Sequence, residues 1–103
     1  MTEVSFVWLG KGFCTLTPEN DQYGAGHRGA YVVFACQARD IVECCQQVRN
    51  ELVEHQLVLV GFEYLIDQAH IDREISTYER ELIDRLGAYP VQFQNVHYFK
   101  GDA

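Results

Sequence analysis

Residues 30–66, AYVVFACQARDIVECCQQVRNELVEHQLVLVGFEYLI, decide the fold. Val, Tyr and Phe crowd residues 30–38, where Gln37 is the one strongly polar side chain. Such residues suit a pleated surface. Alternation sends Val32, Phe34, Cys36 and Ala38 to one face and Tyr31, Val33 and Ala35 to the other. Both faces are apolar, which predicts an interior strand covered on both sides. Asp40 is an N-cap, and Glu43 three positions later completes a capping-box pattern. Ile41, Cys44, Cys45, Val48 and Leu52 then recur at helical spacing, with Gln46, Gln47, Arg49, Asn50, Glu51 and Glu54 on the wet side. The helix is expected to end near His55 and Gln56, where a second β-rich run starts. A strand, a helix and a strand predict a crossover between parallel strands, adjacent or separated by a third.

Outward from this unit, residues 4–9 (VSFVWL) are β-prone, Gly10-Lys11-Gly12 reads as a turn, and residues 13–16 (FCTL) as a returning strand. A hairpin over residues 1–16 is therefore expected. Residues 17–29 (TPENDQYGAGHRG) read as a long Gly-rich loop, and loops of that length are often functional. A second helix carries Ile71, Ile75, Tyr78, Leu82, Ile83 and Leu86 on its apolar stripe. Asp72 or Ser76 would cap it, Ser76 pairing with Glu79 in a second box. Gly87 fits a left-handed position past its end, and Pro90 stops continuation. Residues 91–99 (VQFQNVHYF) alternate as a last strand, with a frayed tail beyond.

The resulting expectation is one α+β domain over residues 1–103, with 30–99 forming a β-α-β-α-β core behind the hairpin. Its sheet would be mixed and four- to five-stranded, with two helices on one face in a ferredoxin-like variant. At 103 residues the chain has room for one core. No apolar run approaches the ~20 residues of a membrane span, and the N-terminus lacks a signal-peptide pattern, so a cytoplasmic location is expected. Four cysteines without an export signal read as reduced packing residues.

Several activities are poorly served by these residues. Gly24-Ala25-Gly26-His27-Arg28-Gly29 matches G-x-G-x-x-G, yet it leads into a strand, whereas dinucleotide binding needs a helix N-terminus there. His27, His55, His70, His97 and the cysteines lack the paired spacings of metal ligands, so neither metal nor cofactor is expected. Cys44 and Cys45 lie coreward, which disfavours a nucleophile. A formal charge of −7 disfavours nucleic acid and suits a basic partner. Between Glu63 and Asp84 lie Asp67, Asp72, Glu74, Glu79 and Glu81, against Arg73 and Arg80. Arg80 with Asp84 and Glu81 with Arg85 are spaced for helical ion pairs, and the remainder is a candidate docking surface. Exposed Tyr23, Tyr64, Tyr89 or Tyr98 would add anchors.

With its strand–helix–strand unit, acidic second helix and closing VQFQNVHYF strand, the chain resembles small acidic immunity proteins of bacterial toxin–immunity pairs. The likeness is one of organisation over residues 30–99 and carries over no site residue. It implies a non-enzymatic α+β domain that binds and blocks a toxin. The expected surface is Glu63, Asp67, Asp72, Glu79 and Asp84, which would meet a basic protein. Two alternatives belong to other classes. One is a small-ligand or enzymatic domain with Lys11, His27 and Arg28 around an anion. The other is a homodimer or larger oligomer paired through the edge strand at residues 91–99.

Overall fold

Gly10 and Gly12 do not turn the chain; they lie in the middle of its central strand. A computed structural model describes residues 5–93 and 95–100. Within them the elements are β1 (Phe6–Leu16), α1 (Asp21–Gly24), β2 (Gly29–Ala38), α2 (Ile41–Glu54), β3 (Leu57–Asp67), a 3-10 turn (Gln68–His70), α3 (Thr77–Asp84), β4 (Val91–Gln92) and β5 (Val96–Phe99). The strands form one sheet in the order β3-β1-β2-β4, with β5 also paired to β2. The expected hairpin is thus a single eleven-residue strand. Val4 at its expected start, Gln94 in the last strand and the tail at 101–103 fall outside the described residues.

The reason lies in side-chain volume. Gly10 is the partner of Phe34 across the β1–β2 ladder, and the Phe34 ring leans over it. A Cβ on Gly10 would sit 2.4 Å from Phe34 Cζ, closer than any carbon pair tolerates. Gly12 extends the same trough, with Leu59 Cδ1 3.1 Å from where its Cβ would be. Phe34 continues across to Phe62 on β3, ring centroids 5.9 Å apart. Glycine inside a strand marks a close approach of this kind.

Every ladder is antiparallel, so the expected mixed sheet is corrected. β2 and β3 do run parallel, as their helical crossover requires, but β1 lies between them. The helices also part company. Cys44, Val48 and Leu52 of α2 pack with Val32, Phe34, Cys36 and Ala38. Leu82 of α3 packs with Leu9 and Ala35, joined by Leu86, Ile71 and Ile75. Alternation along β2 puts those two sets on opposite faces. Two helices on one face, and the ferredoxin-like layering with them, are therefore replaced by a sheet with one helix on each side. Among the described residues no helix is long and apolar enough to cross a membrane.

The last strand pairs with β2, and does so in two pieces. Gln92 opposes Ala35 and Val96 opposes Val32, so the last strand carries one residue more than β2 between these pairs. β3 takes up extra residues at Val60 and Glu63 against β1. Such bulges re-aim a side chain, and Glu63 accordingly meets Lys11 at 3.2 Å. The expected loop at 17–29 contains the short helix α1. Asn20 caps it, accepting from Gln22 N at 2.9 Å. The buried Asn20 amide also donates to the carbonyls of His55 and Gln56, tying this loop to the end of α2.

Gln56 ends α2 at φ +57°, where the left-handed region disfavours a Cβ-bearing residue. Gly87, expected in such a position, is not among the glycines with positive φ. We predict that Gln56→Gly raises unfolding stability by about 1 kcal/mol in urea titration. Gln56→Val should lower it by at least as much, because a branched Cβ adds crowding.

Candidate functional site

The acidic segment begins where β3 ends. The Asp67 carboxylate accepts from Ala69 N at 2.9 Å and so caps the 3-10 turn, with His70 Nδ1 at 3.6 Å. The chain then runs on to Ser76, with Ile71 and Ile75 anchored in the α3 core. Asp72 and Glu74 lie beside these anchors and are exposed. Ser76 starts α3 as one of its two possible caps foretold: its Oγ accepts from Glu79 N, and Glu79 accepts from Ser76 N.

Glu79 does more than cap. Arg73 grips it with two parallel bonds, Nη1 to Oε1 at 2.9 Å and Nη2 to Oε2 at 2.8 Å. The bidentate fork is among the strongest protein hydrogen-bonding arrangements. Glu79 is 3% exposed. Arg73 and the Ser76 bonds hold its carboxyl down at about 2, against the opposing cost of burial. Burial, followed by the Glu79 charge, pushes the neighbouring Tyr64 phenol up. Glu79 therefore belongs to the internal scaffold, a correction to its expected place on the docking surface. Glu63 is engaged by Lys11 while remaining half exposed. Asp72 and Asp84 stay on the surface, and Glu74 and Glu81 stand with them.

The three side chains expected around an anion are not brought together in an open cradle. Lys11 lies opposite Val33, whereas the loop enters β2 at Gly29, opposite Thr15. The Lys11 ammonium is paired with Glu63 and sits 4.9 Å from the centre of the Tyr31 ring. The Arg28 guanidinium stacks 3.8 Å from the Tyr23 ring and donates to the carbonyls of Tyr23 and His27. His27 leans on Tyr98 at 5.9 Å. The loop glycines serve the backbone: Gly26 has φ +97°, and Gly29 lies beneath the Phe99 ring, leaving no room for a Cβ.

The cysteines are free thiols, three of them buried. Burial pushes Cys14 up to about 11. A hydrogen bond with Cys36, then burial, raises Cys44 far above the ordinary thiol range. Thiols held in this way are poor nucleophiles at neutral pH. Among the expected tyrosine anchors, Tyr89 is 69% exposed, while Tyr23, Tyr64 and Tyr98 are half-buried.

Sequence reasoning missed two features. One is a cleft of about 510 Å³ where the end of α2 faces the last strands, lined by Glu51, Glu54, His55, Tyr89 and Phe93. The His55 ring meets Phe93 edge-on at 5.1 Å. Its parts come from distant segments, so no local pattern announces it. The other is a row of rings across the sheet, Phe13, Tyr31 and Phe99, with successive centroids 4.8 Å apart. Only the alternation of Tyr31 with Val32 hinted at it. Comparison with protein-family models, curated proteins and solved structures finds no match to this chain.

The Glu79 carboxyl is depressed in the folded state, so its contribution is complete above the unfolded value near 4.5 and is lost as pH falls toward about 2. Because Arg73 is half exposed, the contribution is set at about 2 kcal/mol. Glu79→Gln keeps the capping box but not the charge. It should lower stability by that amount at pH 7 and flatten its decline between pH 4.5 and 2 in denaturant titrations.

Proposed function

We propose that the chain is a non-enzymatic protein-binding module, an immunity or inhibitor protein that occludes the active site of a basic bacterial toxin. The observation that carries this reading is the sorting of carboxylates along the acidic segment. Asp67 and Glu79 serve caps and the Arg73 fork, whereas Asp72, Glu74, Glu81 and Asp84 are exposed on or just ahead of α3. In a chain of charge −7, these four carboxylates outnumber the exposed Arg80 and Arg85 beside them and leave this face net negative. Such a field steers encounter with a basic surface and raises the association rate. Exposed Tyr89, after α3, supplies an amphipathic ring of the type that anchors interfaces. The buried core elements and the Arg73–Glu79 fork make a firm base for this surface, which favours rigid docking.

Tagged protein used to capture partners from its host at low and high salt tests the reading. A basic partner retained at low salt and released at high salt is the expected result. With that partner purified, Asp72→Asn, Glu81→Gln and Asp84→Asn combined should weaken binding about tenfold or more, chiefly through the association rate. Unchanged affinity would remove this surface, and an empty capture at both salt concentrations would remove the reading.

A further inference from the structure

We propose that the end of β3 takes an extended, basic segment of the partner as an added strand. The inference deepens the toxin-blocking reading and rests on it for the partner, though not for the chemistry of the site. Among the described residues β3 pairs with β1 alone and is the outer strand of the sheet. A strand so placed keeps a row of backbone N–H and C=O groups free to pair with another extended chain. Bulges blunt such edges, and those of β3 fall at Val60 and Glu63. Beyond them residues 64–67 run in unbroken register against residues 8–11. A cleft of about 480 Å³ opens at this same run, lined by Tyr64, Leu65, Ile66, Ile71, Asp72 and Arg73. Ile66 opposes Leu9 on the α3 side, and Tyr64 shares its parity, whereas Leu65 packs into the Phe34 cluster on the other side. Contact with all three brings the cleft to the backbone and outer margin of the strand.

Charge and shape select the occupant. Arg73 is the cation among the lining residues, and Glu79 meets its charge through the two-bond fork. Asp72 and neighbouring Glu74 stand exposed beside it, so the site is net negative. Half-buried Ile66 and Ile71 supply an aliphatic wall. A lysine or arginine side chain matches both, laying its methylene stem on the isoleucines while its charged head reaches Asp72. A second copy of the chain fails on charge, because pairing two of these edges about a twofold axis brings the two acidic sites together. A nucleic acid fails for the same reason. The guest that fits has a backbone extended along residues 64–67 and long basic side chains at alternate positions.

Titration of the intact chain with an alternating lysine–valine hexapeptide, read by NMR of the backbone amides, is the test. The amides of residues 64–67 and 71–73 should shift together and saturate with a Kd of about 1 mM or tighter. High salt should weaken the binding. N-methylation of one of the two alternate sets of peptide amides should weaken it about tenfold, because that set supplies the donors to the strand edge. Asp72→Lys, at an exposed position, should cost about tenfold as well, and Asp72→Asn less. Asp84→Lys, at the end of α3 and outside the cleft, should bind within about twofold of the parent. Unshifted amides at residues 64–67, a folded Asp72→Lys chain with parental affinity, or indifference to N-methylation of either set would each overturn the proposal. The peptide arm needs no host partner, so the two readings fail separately. A basic partner captured from the host that binds Asp72→Lys as it binds the parent would leave the toxin-blocking reading standing and remove this site from it.

Discussion

The Phe34 ring lying over Gly10 is the contact on which the rest of the fold depends. It lets the largest fully buried side chain sit on the central strand without pushing β1 away from β2. From there the ring reaches Phe62 and forms the floor on which Cys44, Val48 and Leu52 of α2 rest. Protein interiors are packed as densely as organic crystals, so even one methyl at Gly10 has nowhere to go. Leu65 closes the remaining space at 3.1 Å. The crossover from β2 through α2 to β3 passes over β1 on the face that Phe34 fills.

The sheet then divides its labour by face. The α2 side holds the three buried thiols, the aliphatic core and Phe34. The α3 side is mixed: Leu9 and Ala35 are sealed, while the aromatic row stays half open. Charge follows the same division. Glu79 is drawn inward by Arg73 and fixes the start of α3, leaving the remaining carboxylates of that segment on its surface. The internal fork thus sets the orientation of the helix whose outer residues form the proposed docking surface.

Much of this was legible in the chain, and the failures have physical causes. The strand–helix–strand unit was readable because Cys44, Val48 and Leu52 keep a helical period and Val32, Phe34 and Cys36 a strand period. Ser76 and Glu79 announced their capping box because that device is local. Gly10-Lys11-Gly12 misled because glycine serves both turns and close approaches, and only Phe34, more than twenty residues away, distinguishes the two. The faces taken by the helices were not readable, since β2 is apolar on both sides. The capping role of Glu79 was legible, but its burial was not, because that depends on Arg73 folding back over it. Asp72, read as a possible cap, lies exposed ahead of the helix that Ser76 caps, and Asp84 is exposed at its end.

The most direct test of this account is a double-mutant cycle between Gly10 and Phe34, read by urea unfolding. Gly10→Ala in the parent chain should cost about 3 kcal/mol, as expected for overpacking a tight core. In a Phe34→Leu background the shorter side chain vacates the space above β1. The same substitution should then cost about 1 kcal/mol, giving a coupling of about 2 kcal/mol. Equal costs in the two backgrounds would show that Gly10 answers to something other than the ring and would contradict the account.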